Sequence, residues 1–131
     1  MAPAPDQLRE FAQRYTEAWC SQDPGRVAAC YAPDGSLTIN DGAPSVGRAA
    51  ITEAARSFMV AFPDMAVLMD DLRVEGESVE YHWILVGTNI GPGGPGHEVR
   101  ISGFEGWTFG GDGLIAASLG HFDQAEYGPP R

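Results

Sequence analysis

The chain lacks lysine altogether: its eight basic residues are all arginines, and 18 acidic residues outnumber them for a net charge of −10. Without lysine, Schiff-base catalysis and covalent attachment of pyridoxal phosphate are excluded. Nucleic acids and anionic membranes are bound through concentrated basic residues, and the sequence contains no basic cluster. We therefore expect no nucleic-acid partner and no membrane partner.

Long apolar runs and metal-binding patterns are also missing. No apolar segment approaches the roughly 18–20 residues that span a bilayer, and the N-terminus lacks the basic and apolar parts of a secretory signal. These absences predict a cytoplasmic protein in which Cys20 and Cys30 remain free thiols. Zinc-ligand spacing is absent among the three histidines, which are His82, His97 and His121. We expect no metal and no cofactor.

One glycine-rich segment, residues 91–96, formally matches the G-x-G-x-x-G pattern of dinucleotide-binding folds. That pattern requires a helix directly after it, because the helix N-terminus receives the pyrophosphate. Here two prolines interrupt the glycines, and residues 98–102 have the composition of a strand. The segment is therefore interpreted as a loop. No G-x-S-x-G elbow or Walker loop occurs either, which argues against a serine hydrolase or a nucleotide enzyme.

The order of the predicted elements indicates one α+β domain spanning residues 1–131. Apolar residues at helical spacing predict a helix around Leu8–Trp19, a short helix after Asp23, and a third helix that Pro63 ends. Residues 33–35 have turn composition and residues 36–40 form a short strand. Four segments rich in β-branched and aromatic residues then predict strands at 65–74, 78–90, 98–109 and 114–123.

Strands of this length cannot lie flat in a 14.0 kDa protein, so the sheet must bend. Gly87, Gly103 and Gly106 lie inside the strands, where glycine commonly marks a bulge or sharp curve. The alternative is that these glycines only relieve crowding against the helices. The predicted fold is three N-terminal helices packed on a strongly curved antiparallel sheet, which forms a cone with an internal pocket.

Two acidic residues on the predicted strands could work in such a pocket. Asp123 is two residues from His121 and therefore shares its face, and an apolar neighbour such as Phe122 could raise the Asp123 pKa. The alternative is that Asp123 ends the strand in solvent. Glu105 lies mid-strand between aromatic residues and shares a face with Trp107, which favours the inner face. The alternative is an exposed edge position.

Two polar aromatic residues have less specific interpretations. His82 alternates with Tyr81 and Trp83 along its strand, so it lies on the opposite face and is expected to be a structural or interface histidine. Tyr15 projects with Trp19 toward the sheet. Most such tyrosines are core residues, but one that reaches a pocket is a hydrogen-bond donor.

Six short motifs together carry a family resemblance. They are Arg14-Tyr15 with Trp19, Tyr31-Ala-Pro-Asp34-Gly-Ser, Val46-Gly-Arg-Ala-Ala-Ile51, Ala61-Phe-Pro-Asp64-Met, Gly87-Thr-Asn-Ile-Gly91 and Gly120-His-Phe-Asp123-Gln-Ala-Glu-Tyr127. Their order and spacing resemble the SnoaL-like polyketide cyclase branch of the nuclear-transport-factor-2-like superfamily over about residues 7–127. The resemblance implies a cone fold, a homodimer, and an essential acid/base aspartate on the final strand. That aspartate catalyses an intramolecular aldol closure without a metal or cofactor, and Asp123 occupies the matching position.

Ketosteroid isomerases are related to this branch and use a helix-1 tyrosine and a protonated strand acid as oxyanion donors. Tyr15 and Glu105 fall near those two positions. The base aspartate of the isomerases, however, falls at Ile39. This departure weakens the isomerase interpretation and favours cyclase chemistry with Asp123 as the base.

The prediction is a cyclase or isomerase acting on a hydrophobic, carbonyl-bearing small molecule of polyketide or steroid type. The candidate catalytic residues are Asp123, Glu105 and His121. The candidate substrate-binding residues are Tyr15, Trp19, Phe58, Trp107 and Phe122. The alternative is a non-catalytic small-molecule-binding protein or a dimerisation module on the same scaffold, so the question of enzyme activity stays open at this point.

Overall fold

A computed structural model describes residues 4–40, 42–76, 78–89 and 97–122. In these ranges the helices are α1 (Pro5–Cys20), α2 (Pro24–Ala28) and α3 (Arg48–Ala61). The strands are β1 (Tyr31–Ile39), β2 (Ser45–Val46), β3 (Ala66–Glu75), β4 (Ser78–Asn89), β5 (His97–Phe109) and β6 (Ile115–Phe122). No helix in this part of the chain is both long and apolar enough to cross a membrane.

The strands form one open sheet in the order β2-β1-β6-β5-β4-β3, and the helices pack on one of its faces. The predicted α+β fold is confirmed. The sheet is mixed, however, because β1 and β6 are parallel, while the other four pairs of neighbouring strands are antiparallel. A parallel pair needs a crossover connection, and here α3 and the strands from β3 to β5 separate β1 from β6 in the chain.

The helices form where apolar periodicity and capping residues predict them. The side chains that α1 buries are Leu8, Phe11, Ala12, Tyr15, Ala18 and Trp19, an apolar stripe at helical spacing. Asp23 Oδ1 accepts a hydrogen bond from the Gly25 N–H at 3.1 Å, and Pro24 occupies the first helical position of α2. The helix α3 ends at Ala61, two residues before Pro63. Cys20 and Cys30 are free thiols, as predicted.

The predicted turn at residues 33–35 is wrong, because these residues lie within β1. The pairing of β1 with β6 passes from Tyr31–Ile115 to Ser36–Ala117, so five residues of β1 advance against two of β6. A side chain at Gly35 would place its Cβ 2.7 Å from the Ile115 carbonyl oxygen. Turn-forming residues here make a bulge inside a strand, and the composition of a bulge resembles that of a turn.

The strand glycines do not mark the register shifts of the sheet. The shifts in β3–β4 and β5–β6 fall at Met69/Asp71 and Thr108/Phe109, and the β4–β5 register continues past Gly87, Gly103 and Gly106 without interruption. Gly103 instead allows close packing with the two neighbouring strands. The crowding at this position therefore comes from the neighbouring strands and not from the helices.

Replacing Gly103 with alanine is expected to destabilise the fold. The added Cβ would lie 2.4 Å from the His121 carbonyl oxygen and 2.7 Å from the Trp83 ring. Overpacking of this kind typically costs about 1–3 kcal/mol. Thermal unfolding followed by circular dichroism should therefore give a lower Tm for Gly103→Ala than for the wild type.

Gly106→Ala is the matched control in the same strand. Its Cβ would approach no heavy atom closer than the Leu119 carbonyl oxygen at 3.9 Å, so its Tm should be unchanged or slightly higher. Equal losses of Tm in the two variants would contradict the crowding explanation.

Candidate active site

A small apolar cavity lies between the helices and the inner face of the sheet. Aromatic side chains make much of its wall, namely Trp19, Phe58, Tyr81, Trp83 and Phe122. The space open to the centres of water molecules is about 50 Å³, so the cavity is small. The cavity is partly open to solvent. It suits a compact ligand or the end of a larger one.

Glu105, in the middle of β5, brings a carboxyl group to this cavity. Its Oε1 atom accepts three hydrogen bonds: from the Tyr15 hydroxyl at 2.8 Å, the Trp107 indole N–H at 3.0 Å and the Ser118 hydroxyl at 2.8 Å. Among the residues that the structure describes, no donor is bonded to Oε2. One carboxyl oxygen is thus fixed by the protein, and the other is available to a ligand.

Burial raises the pKa of the Glu105 carboxyl, because the ionised form loses its hydration. The hydrogen bonds from Trp107, Tyr15 and Ser118 oppose this effect without cancelling it. A raised pKa makes this carboxyl group a stronger proton acceptor than an ordinary carboxylate.

Two tyrosines on α1 and β1 extend the hydrogen-bond network behind Glu105. Tyr15 donates to Glu105, so at the 2.9 Å contact between the Tyr15 and Tyr31 hydroxyls it is Tyr31 that donates. Burial, and then the charge of Glu105, raise the pKa of both phenols well above the ordinary value. Both tyrosines therefore stay neutral donors.

Tyr15 and Trp107, predicted to contact the substrate, lie behind the cavity wall in this structure. Both are almost completely buried and donate to Glu105, and Trp107 also stacks on Tyr81 with ring centroids 4.8 Å apart. Neither residue lines the described cavity. Trp19, Phe58 and Phe122 do line it.

His121 lies on the opposite face of the sheet from Glu105, which corrects the expectation that it faces the pocket. Gly120 and Phe122 line the cavity, so strand alternation turns the residue between them outward. There the His121 ring packs on Phe104 with centroids 5.0 Å apart, and Phe104 stacks on His82 at 5.2 Å. Asp123 lies outside the described residues.

Asn40 fixes the end of β6 beside the cavity. Its backbone has φ of 48°, its N–H donates to the Gly120 carbonyl at 2.9 Å, and its Oδ1 accepts from the Phe122 N–H at 2.9 Å. Ile39, the preceding residue, lines the cavity. An apolar side chain therefore occupies the position at which the isomerase interpretation requires an aspartate.

Sequence reasoning missed Ser118, which is fully buried and bonded to Glu105. The sequence does place Ser118 on the same face of β6 as Gly120 and Phe122, because residues two apart in a strand share a face. A serine in a strand is too common, however, to identify it as a site residue. Within the described residues, no group of three or more histidine, cysteine or acidic side chains is placed to hold a metal.

The chain matches the family model of the SnoaL-like domain over residues 12–118. No curated protein sequence matches it significantly. Solved structures share the fold at low identity. A protein from Jannaschia sp. CCS1, described as a SnoaL-like polyketide cyclase, is 22% identical with a TM-score of 0.81, over 99% of each chain.

Two further solved structures have the same fold. A protein with a ketosteroid isomerase-like fold from Catenulispora acidiphila, in complex with trimethylamine, is 16% identical with a TM-score of 0.79, over 96% of this chain and 90% of that one. SalBIII, an epoxide hydrolase/cyclase-like enzyme of pyran ring formation in salinomycin, is 18% identical with a TM-score of 0.78, over 92% and 94%.

The free energy of unfolding should depend on the protonation of Glu105. Its pKa is higher in the folded protein than the ordinary value of 4.5, so the folded state keeps the proton over a pH range in which the unfolded state has lost it. Its contribution to stability is therefore fully present below about pH 4.5 and declines as pH rises through the raised pKa.

Glu105→Gln isolates this contribution, because its amide oxygen can accept the same three hydrogen bonds but does not ionise. Urea unfolding of both proteins between about pH 4.5 and about pH 8 should show the wild type losing stability relative to the variant. A difference that is independent of pH would contradict the raised pKa.

Proposed function

Because the chain belongs to the SnoaL-like domain family, we propose that it is a cyclase or isomerase that uses acid/base catalysis on a hydrophobic, carbonyl-bearing small molecule. The observation that carries the proposal is the Glu105 carboxyl in the apolar cavity, with Oε1 held by three donors and Oε2 without one among the described residues. This arrangement supports proton transfer without a metal or cofactor.

In the proposed reaction, Glu105 Oε2 removes a proton from a carbon next to the substrate carbonyl. The C–H electron pair moves into the new C=C bond, the carbonyl π pair moves to oxygen, and an O–H bond forms on Glu105. In an isomerisation the proton returns to another carbon. In a cyclisation the enolate carbon attacks a second carbonyl carbon, and the resulting alkoxide takes the proton.

The surrounding residues have supporting roles in this proposal. Tyr15, Trp107 and Ser118 position the carboxyl through Oε1. Trp19, Phe58 and Phe122 contact the apolar part of the substrate. Asp123, which the family resemblance implies as the acid/base, is the second carboxylate to be tested.

A polyketide- or steroid-like substrate would place part of its skeleton in the cavity and leave the remainder at the opening, because the cavity is small and partly open to solvent. Two relatives of the same fold support a carbonyl or ring-forming substrate: one is described as a polyketide cyclase, and the other acts in pyran ring formation.

The second candidate function is ligand binding without chemistry. The aromatic lining of the cavity favours it, and a relative of the same fold has been solved with trimethylamine. The fold is reused for many functions, so fold alone does not distinguish the two candidates. The two candidate functions differ in one respect: loss of the Glu105 carboxyl would remove turnover in an enzyme, whereas it would weaken ligand affinity in a binding protein.

Glu105→Gln should abolish exchange of the α-hydrogens of a single-ring ketone, such as cyclohexanone, for solvent deuterium. The wild type should accelerate this exchange above buffer, and NMR measures it directly. A general base contributes roughly 10²–10⁴-fold, so the variant should approach the buffer rate. Asp123→Asn, measured in parallel, tests the carboxylate that the family resemblance implies.

Glu17→Gln is the control, because Glu17 is an exposed acid on α1 that does not line the cavity, and its loss removes the same charge. It should exchange at the wild-type rate. If the wild type does not exceed the buffer rate while the ketone binds, the catalytic proposal fails and the binding function stands. Full activity in Glu105→Gln would remove this residue from the mechanism.

The outer face of the sheet is the proposed homodimer interface. It carries the His82–Phe104–His121 stack, and Leu68 and Leu119 lie there with about half of their surface exposed, 51% and 53%. The helices cover the other face. Pairing two outer faces would remove these apolar side chains from water.

Light scattering should give a mass of twice 14.0 kDa for the wild type at micromolar concentration. Leu119→Asp should shift the protein to monomer, because each copy would then bury a carboxylate against its partner. Val60→Asp, a change of an exposed apolar residue on α3, should leave the dimer intact. A monomeric wild type would refute the interface.

A further inference from the structure

Three buried side-chain nitrogens have no hydrogen-bond partner among the residues that the structure describes. They are Trp19 Nε1, Asn40 Nδ2 and Trp83 Nε1. Most buried donors in proteins have an acceptor, so each exception calls for an explanation. Asn40 does not line the cavity, whereas both tryptophans do. The cavity wall therefore contains N–H donors that the described part of the chain leaves unpaired.

Trp83 is the tryptophan whose N–H has no polar neighbour of its own in that part of the chain. Burial raises the pKa of Tyr15, and the Trp19 indole opposes this rise as a donor toward the Tyr15 hydroxyl. The Trp83 ring instead packs on Phe122, with ring centroids 5.8 Å apart. Its Cζ2 atom lies against the backbone of Gly103, where an added Cβ would be 2.7 Å away. The Trp83 N–H is therefore the donor that remains for a ligand.

The register of the sheet places Trp83 close to Glu105. Tyr81 pairs with Glu105 and Trp83 pairs with Gly103, so Trp83 and Glu105 are diagonal neighbours on one face, roughly 7–8 Å apart along the backbone. Both residues line the cavity. The Cζ2 atom over Gly103 is bonded to the ring carbon that carries Nε1. The N–H edge of the Trp83 ring is therefore turned toward β5, the strand of Glu105.

The chemistry of the indole group restricts the ligand. An indole N–H donates a hydrogen bond and accepts none, so its partner must be an acceptor such as a carbonyl oxygen. A carbonyl oxygen and the carbon next to it can bridge two side chains that are diagonal neighbours. The last torsion of a tryptophan side chain is broad, so a small rotation of the Trp83 ring brings its buried N–H to a ligand in the cavity.

We propose that the Trp83 indole N–H donates a hydrogen bond to a carbonyl oxygen of the ligand, and that Trp83 thereby selects a carbonyl compound over a hydrocarbon of the same shape. The inference rests on the proposed function for its ligand site and deepens it. Glu105 acts on the carbon next to the carbonyl, and Trp83 stabilises the charge that develops on the oxygen. The same bond would form in a protein that binds the ligand without turnover.

Proton–nitrogen NMR of isotope-labelled protein observes the indole N–H groups directly. The chain has three tryptophans, and the resonance that is missing from Trp83→Phe identifies Trp83. Saturating cyclohexanone should shift the Trp83 N–H proton downfield, because a new hydrogen bond forms. Methylenecyclohexane has the same shape without the oxygen and should not. The Trp107 N–H, already bonded to Glu105, is the internal reference. No downfield shift of Trp83, or an equal one in Trp107, would overturn the proposal.

Two variants test the selectivity. Trp83→Phe keeps an aromatic ring and removes the N–H, so the ratio of cyclohexanone affinity to methylenecyclohexane affinity should fall about fivefold, the effect of one hydrogen bond. Trp19→Phe makes the same change at the other tryptophan of the cavity wall, and there the ratio should stay as in the wild type. An unchanged ratio in Trp83→Phe, or equal falls in both variants, would overturn the assignment to Trp83.

The outcomes also distinguish this inference from the catalytic proposal. Glu105→Gln should lose hydrogen exchange and still show the Trp83 shift with cyclohexanone, because the two residues act on different atoms of the ketone. A Trp83 shift without exchange in the wild type would refute the enzyme function and support the carbonyl site. Exchange without the Trp83 shift would do the reverse. Absence of cyclohexanone binding to the wild type would overturn this inference.

Discussion

The hydrogen bonding of one carboxyl oxygen, Oε1 of Glu105, is the constraint on which the rest of the structure depends. Its three donors come from α1, β5 and β6, so the first helix and the two central strands must meet at a single atom. A buried carboxyl group is tolerated when donors replace its lost hydration. The second oxygen accepts no bond from the described residues, and the Glu105 side chain lines the cavity, so the residue that joins these elements also belongs to the candidate site.

This arrangement explains why so much polar aromatic surface is buried around the site. Tyr15 and Tyr31 are completely buried and exchange a hydrogen bond, and Tyr81 bonds through its hydroxyl to Thr16 on α1. Each phenol provides a large apolar body and one hydrogen-bonding group. The region behind the cavity is thus close-packed and still polar, which holds the Glu105 carboxyl in one orientation.

Sequence reasoning predicts the elements of this fold better than their contacts. The apolar stripe from Leu8 to Trp19 predicts α1, because helical periodicity depends only on residues that are near in sequence. The position of Glu105 between aromatic residues favours the inner face of the sheet, because strand alternation is also a local pattern. Composition predicts a turn where β1 has its bulge, because composition alone does not report strand pairing. The sequence does not single out Ser118 as a site residue, because its role depends on a hydrogen bond to Glu105, thirteen residues away on the neighbouring strand.

The parallel pairing of β1 with β6 has a consequence for synthesis of the protein. The strand β1, which begins at Tyr31, can pair with β6 only after the residues from Ile115 onward have been synthesised. The Tyr15 hydroxyl likewise bonds to Glu105, which lies ninety residues later in the chain. Contacts of such separation close large loops and form slowly. On the ribosome, Tyr15 and Tyr31 therefore emerge well before Glu105, and the cavity forms only after β6 has been released.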